Sequence, residues 1–231
     1  MSDLSAEHTG PHHPALAHHF EDLAQQKEAS SLGMWVFLVT EIMFFGGLFC
    51  AYLIYRRASF AAFAEASATL DIGLGAFNTA VLIGSSLTMA LAVWSAQMSP
   101  RKLLVAFLLA TFALGGVFLG VKYIEYAHKF HEHHVPGPHF EWGEAGEAAA
   151  AAGHGAEMFF SLYFAMTGLH ASHMVVGMGL ILWLLVPAWK GRFSGEYYNP
   201  IECFGLYWHF VDIVWIFLFP LLYLIGRHGV H

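Results

Sequence analysis

One lone carboxyl and three pairs of ionisable residues in this 231-residue chain stand where chemistry or a structural debt would place them. Glu41 lies inside the apolar run GMWVFLVTEIMFFGGLF, and His170 and His173 share FAMTGLHASHMVVG. His209 and Asp212 share YWHFVDIVWIFLFP, and Lys122 and Glu125 share GVKYIEYAHKF. The members of each pair are three residues apart, a spacing that puts two side chains on one face of a helix. A charge near the centre of a bilayer costs about 2.5 to 3.5 kcal/mol even on the lenient insertion scale, so each such residue requires a partner or a role. Glu41 sits roughly 14 Å into its run at 1.5 Å per residue, near the midplane. It reads either as a carboxyl hydrogen-bonded within a bundle or as a group that handles protons or contacts lipid. His209 and Asp212 can hydrogen-bond each other and fix a helix against its neighbour, which is a more ordinary use than a proton relay. Lys122 and Glu125 read as an ion pair near the interface, with the lysine reaching toward water. His170 and His173 would need a ligand from another helix to hold metal or haem, so no metal or cofactor site is expected in this chain.

The elements that position these groups follow from composition. Hydrophobic residues make up 57% of the chain and charged residues 12%, half the charge that coats an average soluble domain. Five stretches are apolar and long enough to cross a bilayer core of about 30 Å. They are residues 32–55, 73–94, 103–126, 158–187 and 204–226, with a polar, His-rich tail over 1–31 and a long His/Ala/Gly-rich loop over 127–157. The fold class is all-α, an integral membrane bundle of five transmembrane helices. Arg56 and Arg57 stop the first span, Ser99 to Lys102 separate the second from the third, and Pro187 to Pro200 separate the fourth from the fifth. An odd number of spans puts the termini on opposite sides. Lys27, Arg101, Lys102, Lys190 and Arg192 outnumber Arg56, Arg57, Lys129 and Arg227 by one, which favours a cytoplasmic N-terminus and an outer C-terminus. Gly116 with Gly120, and Gly47 with Ala51, are spaced to let helices approach closely.

Several functions are excluded at once. A net charge of −7 leaves no basic surface for nucleic acid. Cys50 and Cys203 are far apart and form no CxxC or haem-attachment motif. The acidic tail lacks the apolar core of a signal peptide, so insertion is expected to use the first span. Asn78, Thr79, Ser85, Ser86 and Thr88 in the second span read as interhelical hydrogen bonds rather than a conduction path. The histidines of tail and loop, among them His8, His12, His13, His128, His131 and His134, lack cysteine partners and a fixed spacing, and read as solvated.

Taken in order, WVFLVTEIMFFGGLF, NTAVLIGSS, LGVKYIEY, TGLHASHMVVG and YWHFVDIVWIFLF resemble subunit III of the haem-copper terminal oxidases, over about Leu32 to Arg227. The resemblance implies the short, five-helix bacterial form of this family, a multi-pass protein of the bacterial plasma membrane. It implies a subunit of a terminal oxidase that takes electrons from cytochrome c or quinol, translocates protons, and bears no redox centre in this chain. Haem and copper are implied in partner subunits. Subunit I is the main partner, with subunit II, a larger respiratory assembly and structural phospholipid beside it. The implied role is support of proton uptake and of the stability of the O2-reducing, proton-pumping subunit I. By the same resemblance Glu41 is the functional intramembrane carboxyl. Trp35, Glu125, His170, His173, His209, Asp212 and Trp215 contact lipid or subunit I, or pack helices. Two alternatives remain open: an accessory subunit of a nitric oxide reductase, and a stand-alone proton or cation carrier built on Glu41, His209 and Asp212. No internal repeat of the kind common in carriers is present.

Overall fold

A computed structural model describes residues 19–98, 100–132, 134–137, 140, 142, 147–195 and 197–225. Six helices follow in chain order: α1 (Leu23–Ala58), α2 (Phe60–Ala68), α3 (Ile72–Met98), α4 (Arg101–His131), α5 (Glu147–Trp189) and α6 (Asn199–Tyr223). Five of them are long and apolar enough to cross a membrane, and α2, at nine residues, is not. No strand occurs among the described residues; a single isolated bridge joins Ser194 and Tyr197.

The helices run past the apolar stretches that mark them in sequence. α1 begins at Leu23 rather than Leu32, because the Asp22 carboxylate accepts the Gln25 N–H at 2.7 Å and caps the first turn. That extra length is held to α6, where Lys27 pairs with Glu202 at 3.1 Å and donates to the Tyr198 hydroxyl at 3.0 Å. α5 starts at Glu147, so the Ala-rich tract expected in a loop is helical there, as the residue with the highest helix propensity favours. At its other end α5 passes through Pro187 and stops two residues later. α4 reaches His131, which shortens the long loop from both sides. The tail histidines up to His18 and the segment beyond Ile225 lie outside the described residues.

Sequence patterning gave no sign of α2. It turns the chain at the end of α1 and buries Phe63 against Tyr52 and Phe159, with ring centroids 5.4 and 5.5 Å apart. Ser67 donates to the Leu222 carbonyl at 2.6 Å. Asp71 then accepts the N–H groups of Gly73 and Leu74, at 2.7 and 3.2 Å, and so starts α3.

α6 is the axis of the bundle. Half of its apolar window is buried, against 17% for α1 at the periphery. Two of its indoles fasten the other helices. Trp208 donates to the Ser85 hydroxyl of α3 at 2.9 Å and lies against Gly115 of α4 and Gly177 of α5. Trp215 donates to Thr79 of α3 at 3.1 Å and meets the Phe118 ring of α4 edge-on at 4.8 Å. The glycines that permit this are not the ones the spacing suggested. A Cβ on Gly47 or Gly120 would meet nothing within 4 Å, and one on Gly116 only a methionine methyl at 3.8 Å. Close approach occurs instead at Gly75, Gly115, Gly155, Gly177 and Gly205.

A Cβ on Gly177 would stand 2.8 Å from Trp208 Cζ3, with the Tyr207 ring at 3.1 Å closing the other side. Gly177→Ala should therefore destabilise the bundle by about 1–3 kcal/mol, the usual cost of overpacking. Gly47→Ala should not, and thermal unfolding of the two variants in one detergent measures the contrast.

Candidate functional site

Glu41 of α1 is not isolated in lipid. Its Oε2 lies 3.1 Å from His173 Nε2 on α5, and both side chains are more than four-fifths buried. The other ring nitrogen, Nδ1, lies 2.9 Å from the Leu169 carbonyl one turn earlier. A carbonyl only accepts, so Nδ1 carries hydrogen. The Nε2···Oε2 contact then needs one further proton, carried either as imidazolium beside carboxylate or as imidazole beside carboxylic acid. Each arrangement is neutral overall, which is what hydrocarbon depth requires. Phe45 packs on the imidazole at 5.5 Å, and Tyr207 of α6 donates to the His173 carbonyl at 2.8 Å. The couple opens onto a cavity of about 610 Å³ between α1, α5 and α6, lined by apolar groups such as Phe37, Val176, Leu180 and Trp183.

Lys122 and Glu125 do not reach for water. Both are at most 4% exposed, deep among α4, α5 and α6. Lys122 Nζ spends its three donors on Glu125 Oε2, the Tyr163 hydroxyl and the Tyr223 hydroxyl, each at 3.1 Å. The two phenols in turn donate to Glu125 Oε1, Tyr163 at 2.7 Å and Tyr223 more closely still. The ammonium also lies 5.1 Å from the Trp215 ring. Nothing in the sequence named Tyr163 or Tyr223 as partners. The available signal was that a phenol in an apolar span needs somewhere to send its hydroxyl.

The remaining sequence candidates separate. His170 turns into the core between Phe118 and Trp215, with centroids at 5.3 and 5.1 Å, while His173 turns to α1, so the two do not converge. His209 and Asp212 make no mutual hydrogen bond: His209 Nδ1 pairs with Ser86 of α3 at 2.7 Å, and Asp212 has that same hydroxyl as the one donor beside it, with no partner in full hydrogen-bond geometry among the described residues. Thr88 bonds Thr111 at 2.8 Å, an interhelical bond of the kind expected of the second span. Trp35 is 56% exposed on the outer face of α1. Among the described residues, no three His, Cys, Asp or Glu side chains come together as a metal set.

Outside the spans, Glu132 collects Lys129 at 2.6 Å, His128 at 3.0 Å and His134 at 3.1 Å. His134 is stacked on Phe160 at 5.2 Å rather than solvated. Burial and the nearby Lys129 charge hold its pKa below the ordinary 6.5, against the pull of Glu132. For Glu132, burial pushes upward but is outweighed by the Lys129 hydrogen bond and the surrounding positive charge, and its pKa falls below 4.5.

Replacing Lys122 with Met strands a buried carboxylate and should cost about 3–5 kcal/mol. Adding Glu125→Gln should recover much of that loss, which a double-mutant cycle on thermal unfolding in detergent reads directly. At the end of α4, a lowered pKa on an acid or on a base means that the unfolded chain binds more protons, so stability rises with pH. Both contributions are complete above pH 6.5. On acidification that of His134 declines first, below 6.5, and that of Glu132 follows below 4.5. The melting temperature should fall as pH drops from 7.5 to 5.5, and fall less in His134→Phe.

The family model described as cytochrome c oxidase subunit III matches residues 16–132 and 140–227. The chain is 28% identical over 210 residues to the probable quinol oxidase subunit 3 of Staphylococcus saprophyticus, covering 91% of this chain and 96% of that protein. It is 34% identical over 197 residues to cytochrome c oxidase subunit 3 of Synechocystis, covering 84% of this chain and 74% of that one. It also matches the heme-copper oxidase subunit I+III of Aeropyrum pernix, at 29% identity over 205 residues, 86% of this chain and 23% of that longer protein. A five-span helical bundle matched over nearly its whole length by one family model leaves a single assignment, and the chain belongs to the cytochrome c oxidase subunit III family.

Proposed function

We propose that this chain is the non-redox subunit III of a respiratory haem-copper oxidase in a bacterial plasma membrane. In this reading its N-terminus is cytoplasmic and its C-terminus lies outside. It assembles with subunits I and II, which hold the haems and copper, and structural phospholipid sits beside it. Its task is to support proton uptake and to protect the O2-reducing, proton-pumping subunit I during turnover. The relative from Aeropyrum, named as subunits I and III together, supports subunit I as the principal partner. Names among the relatives divide between quinol and cytochrome c oxidases, which supports placing the donor site on the partner subunits.

The observation that carries the proposal is the Glu41–His173 couple. It holds one exchangeable proton between two groups 3.1 Å apart, at hydrocarbon depth, beside an apolar cavity of about 610 Å³. A shared proton in a neutral pair moves between the two partners without exposing net charge to lipid, and an apolar cavity of that size accommodates acyl chains.

Glu41→Gln keeps a hydrogen bond to His173 but removes the exchangeable proton. In the intact complex it should slow proton uptake and shorten the turnover lifetime while the haem spectrum stays unchanged, and His173→Gln should behave alike. Unchanged lipid content, proton uptake and lifetime in both variants would remove the proposed role. The assignment to an oxidase is checked separately, by the haem spectrum of the complex that co-purifies with the unmodified chain.

A further inference from the structure

Two of the carboxyls inside this bundle have opposite circumstances. Glu41 has His173. Asp212, near the middle of α6 and about 20 Å from its start at 1.5 Å per residue, is 2% exposed, and neither oxygen has a partner in full hydrogen-bond geometry among the described residues, the Ser86 hydroxyl being the one donor beside it. That hydroxyl also pairs with His209 Nδ1 at 2.7 Å, and its own hydrogen is free for the acid only when the imidazole nitrogen carries the hydrogen of that contact. One hydroxyl turned toward the acid leaves most of a carboxylate's acceptor capacity unmet, and a protonated Asp212 that donates to Ser86 Oγ still has a carbonyl oxygen without a donor. A buried polar group without partners is expensive in any solvent and most expensive in lipid.

The carboxyl is not sealed in. It lines a cavity of about 390 Å³ that opens between α3 and α6, together with Ser86 and His209. The rim is formed by Ile83 and Leu87 of α3 and Ile213 and Ile216 of α6, each 45% exposed or more. Lipid tails satisfy that rim but offer Asp212 nothing, and headgroups lie too far toward the surface. A metal ion has no third ligand among the described residues. The rim alone would fit any apolar surface. The acid narrows the choice to an apolar helix that brings a donor to its middle.

We propose that the α3/α6 groove is the seat of a transmembrane helix of the haem-bearing partner subunit, and that this helix delivers a hydroxyl, amide, indole or cationic donor to Asp212. The identity of the partner rests on the oxidase reading above; the groove and its unmet acid do not. In this arrangement Ser86 and His209 hold one wall of the socket, and the donor completes from outside what the bundle leaves open.

The test uses the assembled complex in its native membrane. A photo-activated cross-linking residue is placed at Ile83, Leu87 or Ile213, with Tyr123 on the exposed face of α4 as background, and the adducts are identified by mass spectrometry. The groove positions should join the haem-bearing subunit at the same depth. In detergent, Asp212→Leu should speed dissociation of the chain from that subunit by about threefold to tenfold, the range expected for one interhelical hydrogen bond, with Asp212→Asn in between. Adducts only to lipid, only to a second copy of this chain, or only to water-quenched products would overturn the proposal while the chain still co-purifies with haem. Wild-type dissociation rates in both variants would do the same. Should Asp212→Leu fail to insert, the cross-links on the otherwise unaltered chain decide alone. Recovery without any haem-bearing subunit would instead bring down the functional reading, and with it the named occupant.

Discussion

A charge that cannot reach water must find all of its partners inside the protein, and Lys122 shows how far the bundle is organised around that requirement. Its three N–H donors and both oxygens of Glu125 close into one cluster with Tyr163 and Tyr223. These residues come from α4, α5 and α6, so the cluster forms only when the three helices meet in a single register. In lipid there is little hydrophobic force to draw helices together, and such polar contacts with close packing carry the specificity of assembly. The Trp208 and Trp215 indoles extend the same logic to α3 through Ser85 and Thr79.

From that constraint the arrangement of the working groups follows. With α3 to α6 locked together, α1 lies on the outside, largely unburied, and touches the bundle through a few specific points. One is the capped, lengthened start of the helix, tied to Glu202 and Tyr198. Another is Tyr52, whose hydroxyl donates to the Leu221 carbonyl at 2.7 Å. The third is Glu41 on His173. A peripheral helix held at its ends and middle leaves space beside it, and the apolar cavity occupies that space. The neutral couple and the cavity are therefore consequences of one packing choice.

Much of this was legible in the residues. The number of spans and the family motifs along them come from patterns that are local or compositional. Where sequence reading went wrong, the cause is non-local. Lys122 looked like an interfacial residue because helix depth is counted along one chain, whereas its burial is decided by Tyr163 and Tyr223, 41 and 101 residues away. Gly116 and Gly120 satisfy a spacing rule yet face away from any close neighbour, since spacing fixes a face but not what stands opposite it. α2 is nine residues long, too short to mark a span, and its place is set by Phe159 and Leu222.

Hydrocarbon thickness and the cost of bare charge act on each segment alone, and so the sequence by itself determined that five helices cross the membrane and which ionisable residues stood in need of partners. Which partner each one received was decided only by tertiary structure. His209 and Asp212 could have paired by spacing, but the register of α6 against α3 sends the imidazole to Ser86 and leaves the acid facing a groove. His170 and His173 share a spacing too, and the meeting of three helices sends one into an aromatic core and the other to Glu41. A helix offers each side chain a direction, and only the neighbour that occupies that direction settles whether it becomes a pair, a wall or an open socket.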